Sequence, residues 1–292
     1  PISIINYAKD GENVHRTLKK MQELTKMPLI ISYMGNTDEA YEQLYHFKHN
    51  NEVKWNFKLF DNDYAKTMMM VFPSLSRLIY KPIKRVQLGS SIKQMNNELS
   101  DVILQNMLTV HYRLYESAVD DLFNFFQKRN AIIIPITTPL NYTRKTARSC
   151  YGSLEPDLAE DLKKLKALVK NERIKDALKL SKELAMLAPS HGEVLSIYGR
   201  LLGKSGNSRL GIKYLKQAMA FDCGNISGNP VYNAILKKYS NKYHLTYFDF
   251  EELVSRDLFK ATPFLDQYYP QDIYFQKTID ALAVRIKTLL KL

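Results

Sequence analysis

The spacing of apolar and polar positions sorts the chain into short strands and longer helices. Ile2–Asn6 (ISIIN) is a β-rich run that ends in the turn signal Ala8–Lys9–Asp10–Gly11. From Asn13 to Lys26, apolar residues fall at Val14, Leu18, Met21 and Leu24, a helical spacing that Pro28 stops. Leu29–Met34 (LIISYM) reads as a buried strand running into Gly35–Asn36–Thr37–Asp38. Residues 40–105 carry no sustained period; prolines 73 and 82 interrupt them, and irregular structure with short helices is expected there, either as a lid or wall over a site or as a packed surface excursion. Asn106–Lys128 is a long amphipathic helix with Leu108, Leu114, Tyr115, Ala118, Leu122 and Phe125 as apolar markers. Ala131–Ile136 (AIIIPI) is a second buried strand, although Pro135 is unusual inside one. Asn229–Tyr239 reads as helix, His244–Phe248 (HLTYF) as strand, and Asp272–Leu290 as an amphipathic final helix.

Strands alternating with helices predict an α/β fold: a three-layer, doubly wound parallel sheet with helices on both faces. Such sheets place their site at the carboxyl ends of the strands. The segment from Glu155 to Cys223 departs from this pattern, because it is helical throughout. It contains an echo with a 34-residue period, in which Ala177, Leu184 and Pro189 are matched by Gly211, Ala218 and Cys223. Leu195, Gly199 and Leu202 occupy the intervening helix, where small residues let paired helices approach. This period and pattern resemble tetratricopeptide repeats. About two repeats are too few for a free solenoid, so the helices are expected to dock on the rest of the chain. The expected organisation is 1–154 and 224–292 as two parts of one α/β domain, with 155–223 as a helical insertion.

Composition changes this picture little. The chain has 292 residues, 45% hydrophobic and 25% charged, which is ordinary globular composition. Its net charge of +12 favours anionic partners, but the lysines are scattered and no basic–aromatic nucleic-acid motif emerges. Cys150 and Cys223 are the only cysteines, which excludes a disulfide framework and a four-cysteine zinc site. The apolar stretch near Thr67–Pro73 is far below the roughly 20 residues that span a bilayer. Contact with a membrane surface stays open, and so does the compartment. No GxxxxGK[ST] loop or glycine-rich dinucleotide turn is present. His46 and His49 have metal-like spacing without an evident third ligand.

The order of turns resembles the SGNH or GDSL hydrolases, in particular the bacterial branch with tetratricopeptide-like helices before the last strand. The resemblance rests on three blocks: Asn6–Gly11; Gly35–Asn36–Thr37–Asp38; and Phe264–Leu265–Asp266–Gln267–Tyr268–Tyr269–Pro270. It implies a flavodoxin-like strand order and cofactor-free ester hydrolysis or acyl transfer, with a small ester or acylated glycan as substrate. Gly11 would then be an oxyanion donor, and Thr37 or, one register away, Asn36 another. Asp266 would be the triad acid. Tyr269 stands at the family's histidine, and a phenol with a pKa near 10 is a poor base at pH 7. His46 or His49 would be the substitute base. The family's serine block is absent; either the chain, opening at Pro1, is a fragment that lacks the first strand and its serine, which is the expected case, or the nucleophile was never there. The resemblance therefore implies either an impaired hydrolase or a noncatalytic relative that binds a partner, for instance a protein through the helical insertion.

Overall fold

The computed structural model describes residues 4–8, 12–35, 62–74, 99–146, 148–151, 154–224 and 228–291. In chain order the elements are α1 (Val14–Gln22), β1 (Ile30–Met34), α2 (Asp63–Val71), α3 (Asp101–Lys128), β2 (Ile132–Ile136), α4 (Pro156–Lys170), α5 (Ile174–Leu187), α6 (Gly192–Lys204), α7 (Ser208–Ala220), α8 (Pro230–Lys242), α9 (Phe250–Ser255) and α10 (Asp272–Leu290).

Helix α3 is the axis of the larger part. Ser100 caps it by accepting the Ile103 N–H, and Asp101 places a negative charge in the first turn. Its buried residues recur at three- and four-residue steps: Leu104, Met107, Leu108, His111, Leu114, Tyr115, Ala118, Leu122 and Phe126. One end of this stripe packs with Met69, Leu99, Cys150 and Cys223. The other packs with Val14, Leu18 and Met21 of α1, Tyr33 and Ile133 of the strands, and Tyr232, Leu236 and Tyr239 of α8.

The predicted doubly wound sheet is not present. Among the described residues the fold is mainly helical, and the sheet consists of β1 and β2, parallel, with Ile30 beside Ile132 and Met34 beside Ile136. Residues 4–8 form no strand, and HLTYF contributes one parallel bridge, Phe248 to Ile136. Two local causes stop a third strand. His244 adopts φ 54°. It ends α8 in a Schellman-type turn, with its own N–H on the Asn241 carbonyl and the Leu245 N–H on the Ser240 carbonyl. On β2, the Pro135 carbonyl accepts the Phe248 N–H at 2.8 Å. In a parallel ladder a residue's N–H and C=O face the same neighbour, so the donor that Pro135 lacks is missing from that same edge.

Helices α4–α7 form two antiparallel pairs around Leu162, Leu165, Leu184, Leu195, Leu201 and Leu202. The expected close approach of small residues occurs between α6 and α7. A Cβ on Gly199 would lie 2.9 Å from the Gly211 carbonyl, and one on Gly211 would lie 2.7 Å from the Gly199 carbonyl. The ends of this unit meet at a neck. Cys150 and Cys223 form a disulfide with Cα atoms 5.9 Å apart. Ser149 and Asp222 bridge antiparallel, and the Cys223 N–H donates to the Arg148 carbonyl at 3.2 Å. The Arg148 N–H donates to Asp222 Oδ1 at 3.0 Å. Arg148 and Gln105 tie the neck to α3 through Asp101 and the Cys150 carbonyl.

Candidate functional site

The carboxyl ends of β1, β2 and the Phe248 bridge converge on Gly35, Thr137, Thr138 and Asp249. Their polar groups are paired. Thr138 donates its N–H to Asn233 Oδ1 at 3.0 Å and accepts Asn233 Nδ2 on its carbonyl at 2.8 Å. Its hydroxyl donates to the Gly35 carbonyl. Thr137, fully buried, donates to Asp249 Oδ1 at 2.9 Å and accepts the Glu251 N–H at 3.0 Å. Asp249 also caps α9 by accepting the Glu252 N–H.

Glu251 lies at the centre of this network and is 3% exposed. Its carboxylate accepts the Tyr142 hydroxyl, Lys216 Nζ at 3.0 Å and Lys237 Nζ at 3.1 Å. Lys237 also pairs with Asp249 Oδ2 at 2.8 Å. Burial pushes the Tyr142 phenol well above its ordinary range, and the Glu251 charge adds to this. Burial opposes the charged forms of Lys237 and Asp249. Their mutual pairing, helped by Glu251 on one side and Thr137 on the other, outweighs it, raising the lysine and lowering the aspartate. Two carboxylates and two ammonium groups balance, so burial leaves no uncompensated charge. Glu251 holds three donors from three parts of the chain: the segment after β2, α7 and α8. The arrangement is a clasp that fixes α9 against the strand ends.

Asp266 and Tyr269 lie beside this region, on a loop with its own internal bonding. Phe264 bridges Pro270, and the Leu265 N–H donates to the Tyr269 carbonyl at 2.8 Å. Asp266 Oδ1 accepts the backbone N–H of Tyr268 and of Tyr269, each at 2.7 Å. These bonds, the Tyr269 one first, hold the carboxyl below its ordinary range. Asn141 Nδ2 donates to the Asp266 carbonyl at 3.0 Å and anchors the loop beside the end of β2. The Arg144 guanidinium lies 5.3 Å from the Tyr268 ring centre. Leu265, Tyr268 and Tyr269 are 69%, 53% and 64% exposed. Asp266 thus meets Tyr269 at its backbone N–H. Gly11, Asn36, Thr37, His46 and His49 lie outside the described residues.

Sequence reasoning missed Glu251, Lys216, Lys237 and Tyr142. One signal was available: Asp249-Phe250-Glu251-Glu252 has the spacing of a helix-capping box, which marks the start of α9. Among the described residues no three histidine, cysteine, aspartate or glutamate side chains group as a metal site. No helix among them is long and apolar enough to cross a membrane.

Comparison with protein families, with curated proteins and with solved structures finds no match. The sheet implied by the resemblance to SGNH hydrolases is missing among the described residues. The predicted three-layer α/β fold is therefore corrected to a mainly helical one.

Proposed function

We propose that the chain is a noncatalytic binding protein, with the loop from Phe264 to Pro270 as its contact surface for a protein partner. One observation carries this reading: Asp266 is spent on the loop's own backbone, while Leu265, Tyr268 and Tyr269 face outward. A loop that satisfies its own polar groups and presents apolar and aromatic side chains loses little entropy on docking. Tyrosines are enriched among the residues that dominate protein interfaces. Ile273, 52% exposed at the start of α10, adds to the apolar surface near the loop.

A photo-crosslinking phenylalanine analogue at position 268 tests this in the native source, with Tyr64, 77% exposed on α2, as the control position. The expected result is one discrete adduct from 268 and none from 64. Identical adducts from both positions overturn the reading. So does turnover of p-nitrophenyl acetate that disappears in Asp266→Asn, because asparagine keeps the acceptor for both N–H groups and removes only the charge.

A further inference from the structure

The outer seam between α3 and α8 opens into a groove of about 330 Å³. Thr109, Tyr112, Arg113 and Glu116 of α3 face Val231, Ala234, Ile235 and Lys238 of α8 across it. Both sets follow helical spacing, so each lines one face of its helix. Inward of the groove the helices are closed by Tyr115 and Tyr232, whose rings meet edge-on at 4.9 Å. Outward, the short side chains of Thr109 and Ala234 leave the seam unfilled.

The walls are apolar and the rim is charged. Glu116 accepts Arg113 Nη1 at 2.7 Å and Lys238 Nζ at 2.6 Å. Burial works against the Glu116 charge, but the bonds from Lys238 and Arg113 outweigh it and hold the carboxyl below its ordinary range. Arg113 is pinned further, because its Nε donates to the Met70 carbonyl at 3.1 Å. Lys238 is the solvent-facing member, with a side chain 68% exposed. Two cations against one acid leave the rim with one positive charge in excess.

Size and charge select the occupant. The groove is smaller than one turn of a helix, which at about 10–12 Å across and 5.4 Å long fills roughly 400–600 Å³. It falls at the lower end of the roughly 300–1,000 Å³ of small-molecule pockets, which are apolar with a few orienting polar groups. We infer that the groove binds a small aliphatic monocarboxylate, with its chain along Tyr112, Val231, Ala234 and Ile235 and its head on Lys238.

Octanoate is the probe, titrated by calorimetry into the full chain, with octan-1-ol and octylamine as neutral and cationic controls. A ligand of about ten heavy atoms should bind with a Kd of roughly 0.1–1 mM. Lys238→Ala should weaken it roughly 2–5-fold, the range of one exposed charge contact. Ala234→Phe, at an exposed helix position, should fill the groove and abolish binding while circular dichroism stays unchanged. Absence of saturable octanoate binding overturns the inference. So does equal affinity for octan-1-ol or octylamine, or full octanoate affinity in folded Ala234→Phe.

Discussion

Reducing the Cys150–Cys223 bond removes a restraint on the unfolded chain more than a contact in the folded one. In the folded protein the neck keeps its backbone pairs, from Cys223 to Arg148 and from Arg148 to Asp222. In the unfolded chain, reduction frees a loop with a sequence separation of 73. Closing a loop of that length is worth about 4.4 kcal/mol at 25 °C in the chain-entropy account. That is a large share of a typical stability of about 5–15 kcal/mol. The assay is urea unfolding followed by circular dichroism, with oxidised protein, protein in excess reductant and the Cys150→Ala/Cys223→Ala double variant. With a slope of about 3 kcal/mol/M, the midpoint should fall by about 1.5 M on reduction. The slope itself should rise, because the freed chain exposes more surface when unfolded. A loss below about 1 kcal/mol at an unchanged slope would refute the reasoning, since the neck would then gain nothing from its covalent closure.

Two further tests address buried charge. Glu251→Gln should cost about 3 kcal/mol, because two lysines keep their charges at a site that has lost its central carboxylate; chemical denaturation at pH 7 measures it. His111 is 2% exposed, and burial lowers its imidazole to about 3, so it is neutral in the folded protein. Its folded pKa lies below the unfolded value of about 6.5, so its contribution is complete above pH 6.5 and is lost by about 1.4 kcal/mol per unit as pH falls toward 3. Denaturation midpoints between pH 7.5 and 4.5 should show this slope in the wild type and its loss in His111→Leu.

The local periods were legible where one helix or strand decides its own form. Asp272–Leu290 is helical over the expected range, and the long helix ends at Lys128 as expected but begins earlier, at the Ser100 cap. LIISYM and AIIIPI are strands within one residue of their expected bounds. What failed was the extrapolation from two strands to a full sheet. HLTYF has strand composition, but His244 is taken by the helix end and Pro135 withholds a donor from the facing edge. The Glu251 clasp was unreadable for a different reason. Its lysines lie at positions 216 and 237 and its tyrosine at 142, and no periodicity signals such distant convergence. Asp266 was legible as a functional acid only by resemblance; its spacing to Tyr268 and Tyr269 equally fits an aspartate that accepts the backbone N–H groups following it.

The neck also sets how the chain carries load. Pulling on the two flanking segments stretches the route through Cys150 and Cys223, which is covalent and one bond wide. Helices α4–α7 branch off that route in the covalent chain, so their backbone lies outside it while the bond is intact, and Lys216 of α7 stays held by Glu251. Once the bond is reduced, the same pull runs in series through all four helices. The redox state of a single bond thus decides whether the helical unit is a passenger or a spring.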